Sequence, residues 1–128
     1  MRALLILSLM GLCQSAIAAS PAQILARLQD EASASGSAER GKQFYLAKVS
    51  GTKAESCSTC HTPDPKASGR HVRTHKEIAP LAPSVNPQRF TDTAKVEKWF
   101  RRNCNEVLNR ACTPQEKVDF VTYLLSVK

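Results

Sequence analysis

Two cysteines three positions apart, with a histidine directly after the second, constrain this chain more than any other feature: Cys57-Ser58-Thr59-Cys60-His61. Thiols about one helical turn apart reach the two vinyl groups on one edge of a porphyrin, and the adjacent histidine swings beneath the ring to bind its iron. C-x-x-C-H is the attachment signal of c-type haem. Cys57 and Cys60 are therefore the expected covalent anchors of one haem c, and His61 its expected proximal iron ligand. Three other chemistries use similar residues. Cys57 and Cys60 with His71 and His75 imitate a Cys2His2 zinc site, but the stretch between Cys60 and His71 holds Pro63 and Pro65 and no large apolar residue to fill a finger's core. A thioredoxin-like pair needs a βαβ context, and no strand pattern precedes Cys57. A plain disulfide is the third.

The 128 residues suffice for one domain. Arg2 followed by the apolar run from Ala3 to Gly11, then small residues at Ala16, Ala18 and Ala19, has the layout of a secretory signal peptide. Its apolar core is too short to span a bilayer. Residues 1–18 are the expected signal, cut after Ala18 or Ala19, and 19–128 the expected domain, periplasmic and soluble after cleavage. A lipid on Cys13 is the rival reading, and Leu12 before it is large for such a site. Export also agrees with haem attachment, which resembles a process beyond the cytoplasmic membrane. The net charge of +7 would suit a nucleic acid, but no basic run with interleaved aromatics appears. An acidic protein partner fits better.

Of the five cysteines, Cys13 leaves with the signal and Cys57 and Cys60 go to the haem. Cys104 and Cys112 are then most simply a disulfide in an oxidising compartment, pinning the turn after a helix that ends near Asn103.

Ser20-Pro21-Ala22-Gln23 is a capping box with proline at the first helical position, and Ile24, Leu25 and Leu28 mark one face of the helix that follows. A second helix is predicted from about Ala38 to Val49, with Phe44 and Ala47 on one face and Gly41 permitting close backbone approach. Gly51 to Pro87 reads as loop with one helical turn at the haem motif. So long an irregular stretch is unusual in a compact domain, and a buried porphyrin would supply its missing core. Thr91 and Asp92 offer a cap for a third helix from Thr93 to about Asn103. Thr113-Pro114-Gln115-Glu116 is a second capping box, opening a last helix with Val118, Val121, Leu124 and Leu125. No alternating strand signal appears, so the expected class is all-α, a small monohaem class I cytochrome c-like fold with helices and long loops around the haem.

The only methionines are Met1 and Met10, both in the expected signal, so methionine sulfur, the common sixth ligand of electron-transfer cytochromes c, is missing. His71 and His75 are possible substitutes, or else surface histidines beside Arg70, Arg73 and Lys76. In the third helix Val96, Trp99, Phe100 and Asn103 follow i, i+3, i+4, i+7 and share a face. Asn103 thus lines up with apolar residues suited to cover a haem. It could equally be a helix-ending asparagine, a residue that tolerates the left-handed conformation.

Pro87-Gln88-Arg89-Phe90-Thr91-Asp92 and Lys95-Val96-Glu97-Lys98-Trp99-Phe100-Arg101-Arg102-Asn103-Cys104 resemble the sphaeroides haem protein (SHP) family, small class I cytochromes c with an asparagine iron ligand. The resemblance covers nearly the whole chain after the signal. It implies Asn103 as distal iron ligand and Cys104–Cys112 as the neighbouring disulfide. It also implies electron acceptance coupled to redox-gated binding of O2, NO or CO after the asparagine lets go. The electron donors it implies are a dihaem cytochrome c and a membrane cytochrome b. An oxygen- or nitric oxide-reactive haem oxidoreductase is within that expectation, although no acid–base pair can be nominated. The competing expectation is a simple low-potential electron carrier without gas chemistry.

Overall fold

A computed structural model describes residues 18–128; the expected signal peptide, apart from Ala18, lies outside the described residues, as does Cys13. Along the chain run α1 (Pro21–Ala32), α2 (Ala38–Leu46), α3 (Cys57–His61), β1 (Gly69–Arg70), β2 (Glu77–Ile78), α4 (Thr93–Leu108) and α5 (Pro114–Ser126). The all-α expectation holds. Among the described residues the only sheet is a two-residue antiparallel pair, Gly69 opposite Ile78 and Arg70 opposite Glu77, too short for an alternating pattern to announce.

Local chemistry starts the helices where the sequence indicates. Ser20 and Thr113 each accept a hydrogen bond from the backbone of the residue three places on, and the side chains of Gln23 and Glu116 return it. Asp92 caps α4 by accepting from the Lys95 N–H. Such caps satisfy backbone donors that a helix start leaves without partners.

Two helices end elsewhere than their sequence predicts. Helix α2 stops at Leu46, not near Val49, because Ala47 turns to extended backbone and the Val49 N–H pairs with the Glu55 carbonyl. Its buried residues are Gly41 and Tyr45, while Ala47 is exposed. Helix α4 runs past Asn103 to Leu108, because Cys104 and Val107 continue the buried line of Val96 and Phe100. The left-handed residue that closes it is Asn109, at φ 53°.

Helix α5 organises the packing. Val118 and Val121 join Ile24 and Leu28 of α1 and Val96, Phe100 and Cys104 of α4 in one buried cluster. Tyr123 and Leu124 join Tyr45 of α2 and Leu81 in a second. At the α2–α5 crossing a side chain on Gly41 would collide with the Asp119 carbonyl, which bears out its expected role in close approach. Two polar groups fix these helices. Buried Asp119 accepts from Arg40 at 2.8 Å and from the Ser37 N–H at 2.7 Å. Lys117 bridges Glu31 of α1 and Glu97 of α4 at 3.1 and 3.0 Å. Among the described residues no helix is long and apolar enough to cross a membrane.

Candidate haem site

The helical turn of the haem motif has its own cap. Ser56, nearly fully buried, accepts from the Thr59 N–H at 3.1 Å, and the Thr59 hydroxyl accepts from the Ser56 N–H at 3.1 Å. Cys57 and Cys60 are therefore presented one turn apart, and both are free thiols. Gly69 lies against this turn: a side chain there would meet the Cys60 carbonyl, so β1 can back onto α3 only because position 69 has none.

His61 ends α3, and the chain then makes a costly turn. Thr62 has φ 62° and ψ 160°. The following Pro63 accounts for the extended ψ, but the positive φ puts Thr62 in a region almost restricted to glycine, at a cost of about 1–3 kcal/mol. Burial pushes the His61 imidazole down to about 4, with the neighbouring Arg89 adding to the effect. It is neutral at pH 7, as an iron ligand has to be. Burial also pushes the Cys57 thiol up to about 12. Arg89 is held by the Pro80 carbonyl, which accepts from its Nε at 2.8 Å, and its burial lowers its own pKa.

Asn103 is half-buried, in helical backbone, beside the line Val96–Phe100–Cys104–Val107 that α4 buries. The left-handed cap, which would have given an asparagine at 103 a purely local purpose, belongs to Asn109 instead. Three residues on, Glu106 ties this part of α4 to two loops. Its carbonyl accepts from the N–H groups of Lys53 and Ala54 at 3.1 and 3.3 Å. Its carboxylate accepts from Arg73 at 3.2 Å and lies 3.9 Å from His71 Nε2.

The two later histidines fall elsewhere. His71 Nδ1 accepts from the backbone N–H groups of Arg73 and Thr74 at 3.3 and 3.2 Å, while Nε2 lies 3.9 Å from the Glu106 carboxylate, too far for a hydrogen bond. His75 is exposed, in the turn before β2, at φ 55°. Among the described residues no group of three or more His, Cys, Asp or Glu side chains could hold a metal ion, so the zinc arrangement of Cys57, Cys60, His71 and His75 is not assembled. The sulfurs of Cys104 and Cys112 lie at bonding distance, with Cα atoms 5.5 Å apart, spanning the loop from the end of α4 to the start of α5.

A covalently bound haem fits what is present. Two free thiols sit at the required spacing with a neutral imidazole next to them, and Trp99 and Val85 are large apolar side chains left 39% and 50% exposed. Cys57 and Cys60 would hold the porphyrin and His61 its iron. Sequence reasoning did not find Tyr45, Arg89 or Glu106. Tyr45 falls one position after Phe44, whose face with Ala47 is the one the sequence marks, and the other two act through contacts with loops remote in sequence.

The profile of a family described as a domain of unknown function (DUF1924) matches residues 31–124. Cytochrome c-type protein SHP of Cereibacter sphaeroides is 51% identical over 107 residues, covering 82% of each chain. Cytochrome c'' of Methylophilus methylotrophus is 47% identical over 89 residues, covering 67% of this chain and 61% of that one. Among solved structures, oxidised SHP, described as an oxygen-binding cytochrome c, superposes with a TM-score of 0.79 at 50% identity, covering 84% of this chain and 96% of its own. Oxidised cytochrome c'' follows at 0.76 and 35% identity, covering 84% and 94%.

Proposed function

This chain belongs to the family of cytochrome c-type protein SHP and carries one covalently bound haem c, and from that premise we propose that it is an exported redox protein that opens to diatomic gases when reduced. Haem supplies an iron that exchanges one electron and takes a ligand on each side of the porphyrin plane. Cys57 and Cys60 would anchor it, with the neutral His61 imidazole and the Asn103 carboxamide oxygen as the groups that would bind its iron. An amide oxygen is a hard donor that suits ferric better than ferrous iron. On this reading Asn103 would serve the oxidised protein better than the reduced one, leaving its carboxamide free after reduction. Its NH2 group then has two donors to offer an incoming O2 or NO. The Cys104–Cys112 disulfide, formed after export to the periplasm, steadies the helix directly after the ligand.

One observation carries this reading: no methionine follows Met10, while Asn103 sits in unbroken helix at the edge of the face that α4 buries. The description of the SHP structure as oxygen-binding supports it. A dihaem cytochrome c and a membrane cytochrome b are the proposed electron donors, resting on the family resemblance alone. Adding CO to the dithionite-reduced protein tests the proposal. A shifted visible spectrum is expected; an unchanged one would leave a simple electron carrier.

A further inference from the structure

Tyr45 is fully buried, yet its hydroxyl does not serve its own helix. It donates to the Thr62 carbonyl at 2.5 Å, with the His61 carbonyl a second acceptor at 3.1 Å. Those two carbonyls belong to the peptide units on either side of Thr62, the residue with φ 62°. A single hydroxyl therefore holds both planes of a turn that a threonine would not adopt unaided. Pro63 explains the extended ψ there but not the sign of φ.

The tyrosine is itself rigidly seated. Its ring packs against Phe120 and Tyr123 of α5, with centroids 6.2 and 5.6 Å away. Helix α2 is drawn onto α5 at Gly41, where only a glycine fits. The position of the hydroxyl is thus set by the α2–α5 pair, and the turn after His61 is set by the hydroxyl.

We propose that Tyr45 is a positioning residue for the iron-binding histidine: its hydroxyl holds Thr62 at its positive φ and so fixes the plane in which His61 presents its imidazole. This rests on His61 as haem ligand, and not on the assignment of Asn103. A purely structural role, in which the hydroxyl only satisfies buried carbonyls, would leave the imidazole plane unchanged.

The ferric holoprotein reports that plane directly through its hyperfine-shifted haem-methyl proton resonances, whose spread depends on the orientation of the axial imidazole. Tyr45→Phe keeps the ring and removes the hydroxyl; its methyl lines are expected to shift from those of the wild type. In Tyr45→Phe/Thr62→Gly, glycine adopts the positive φ at little cost, so the lines should return toward the wild-type pattern. Lines that coincide in Tyr45→Phe and wild type overturn the proposal even if thermal stability falls. So does a shifted pattern that glycine at 62 does not restore. Hyperfine-shifted lines missing from the wild type would remove the haem-ligand premise itself, a failure distinguishable from the other two.

Discussion

At Asp119 a single carboxylate decides how α2 meets α5. Burial alone would raise its pKa, but hydrogen bonds from Arg40, the Ser37 N–H and Gln115 hold it below the ordinary aspartate value of 3.8. A depressed folded-state pKa stabilises the fold at pH values above the unfolded pKa, and that contribution disappears as pH falls through the folded one. Asp119→Asn should therefore lower stability at pH 7 by about 1.5–3 kcal/mol, the range for hydrogen bonds to a charged group. The gap between variant and wild type should begin to close below the ordinary value of 3.8 and vanish only as pH falls through the lower folded-state value. Urea titrations at pH 7 and in steps down to about pH 2 measure this, and a gap undiminished at the lowest pH contradicts it. Single residues differ in how far sequence reveals them. Cys57, Cys60 and His61 are legible because their spacing is itself the chemistry. Asp119 and Tyr45 are not, because what they do depends on Arg40, Ser37, His61 and Thr62, which only folding brings near.

The helices show the same division between local and distant causes. Their starts were readable from Ser20, Asp92 and Thr113, whose caps need only the next three residues. Their ends were not, because α2 is stopped by a bond from Val49 to Glu55 and α4 is continued by the burial of Val107. The longer α4 changes what the Cys104–Cys112 pair does. It does not pin a turn after Asn103; it fastens the last turn of the helix to the residue before the α5 cap. Replacing both cysteines by serine should cost about 2–3 kcal/mol for a loop of this size. It should also speed amide hydrogen exchange between Asn103 and Leu108 more than in α1. Uniform acceleration across all helices would show instead that the pair does no local work on α4.

For the molecule as a whole, the stretch from Ala47 to Asp92 is the part with the least regular structure. It contains one helical turn and a two-residue strand pair, and its buried residues are few: Ala54, Ser56, Pro65, Gly69, Leu81 and Ala82. A haem bonded to Cys57 and Cys60 would give this stretch an apolar interior. A Cys57→Ala/Cys60→Ala protein, expressed in a host that matures c-type cytochromes, should retain helical circular dichroism from α1, α4 and α5. It should nevertheless be cut by protease between Ala47 and Asp92 where the holoprotein resists. Equal resistance would mean that the loops fold without the porphyrin. The all-α class and the haem motif were readable at this scale too, since both are carried by residues close in sequence. The contacts that tie the loops to the helices were not, because Tyr45 and Glu106 reach them from elements remote in sequence.

The account depends most on Asn103 holding the iron only while it is oxidised, and visible absorption spectra of wild type and Asn103→Ala in both oxidation states test that most directly. The two proteins should differ in the ferric state and coincide after reduction by dithionite under argon. Identical ferric spectra, or a difference that survives reduction undiminished, would contradict it.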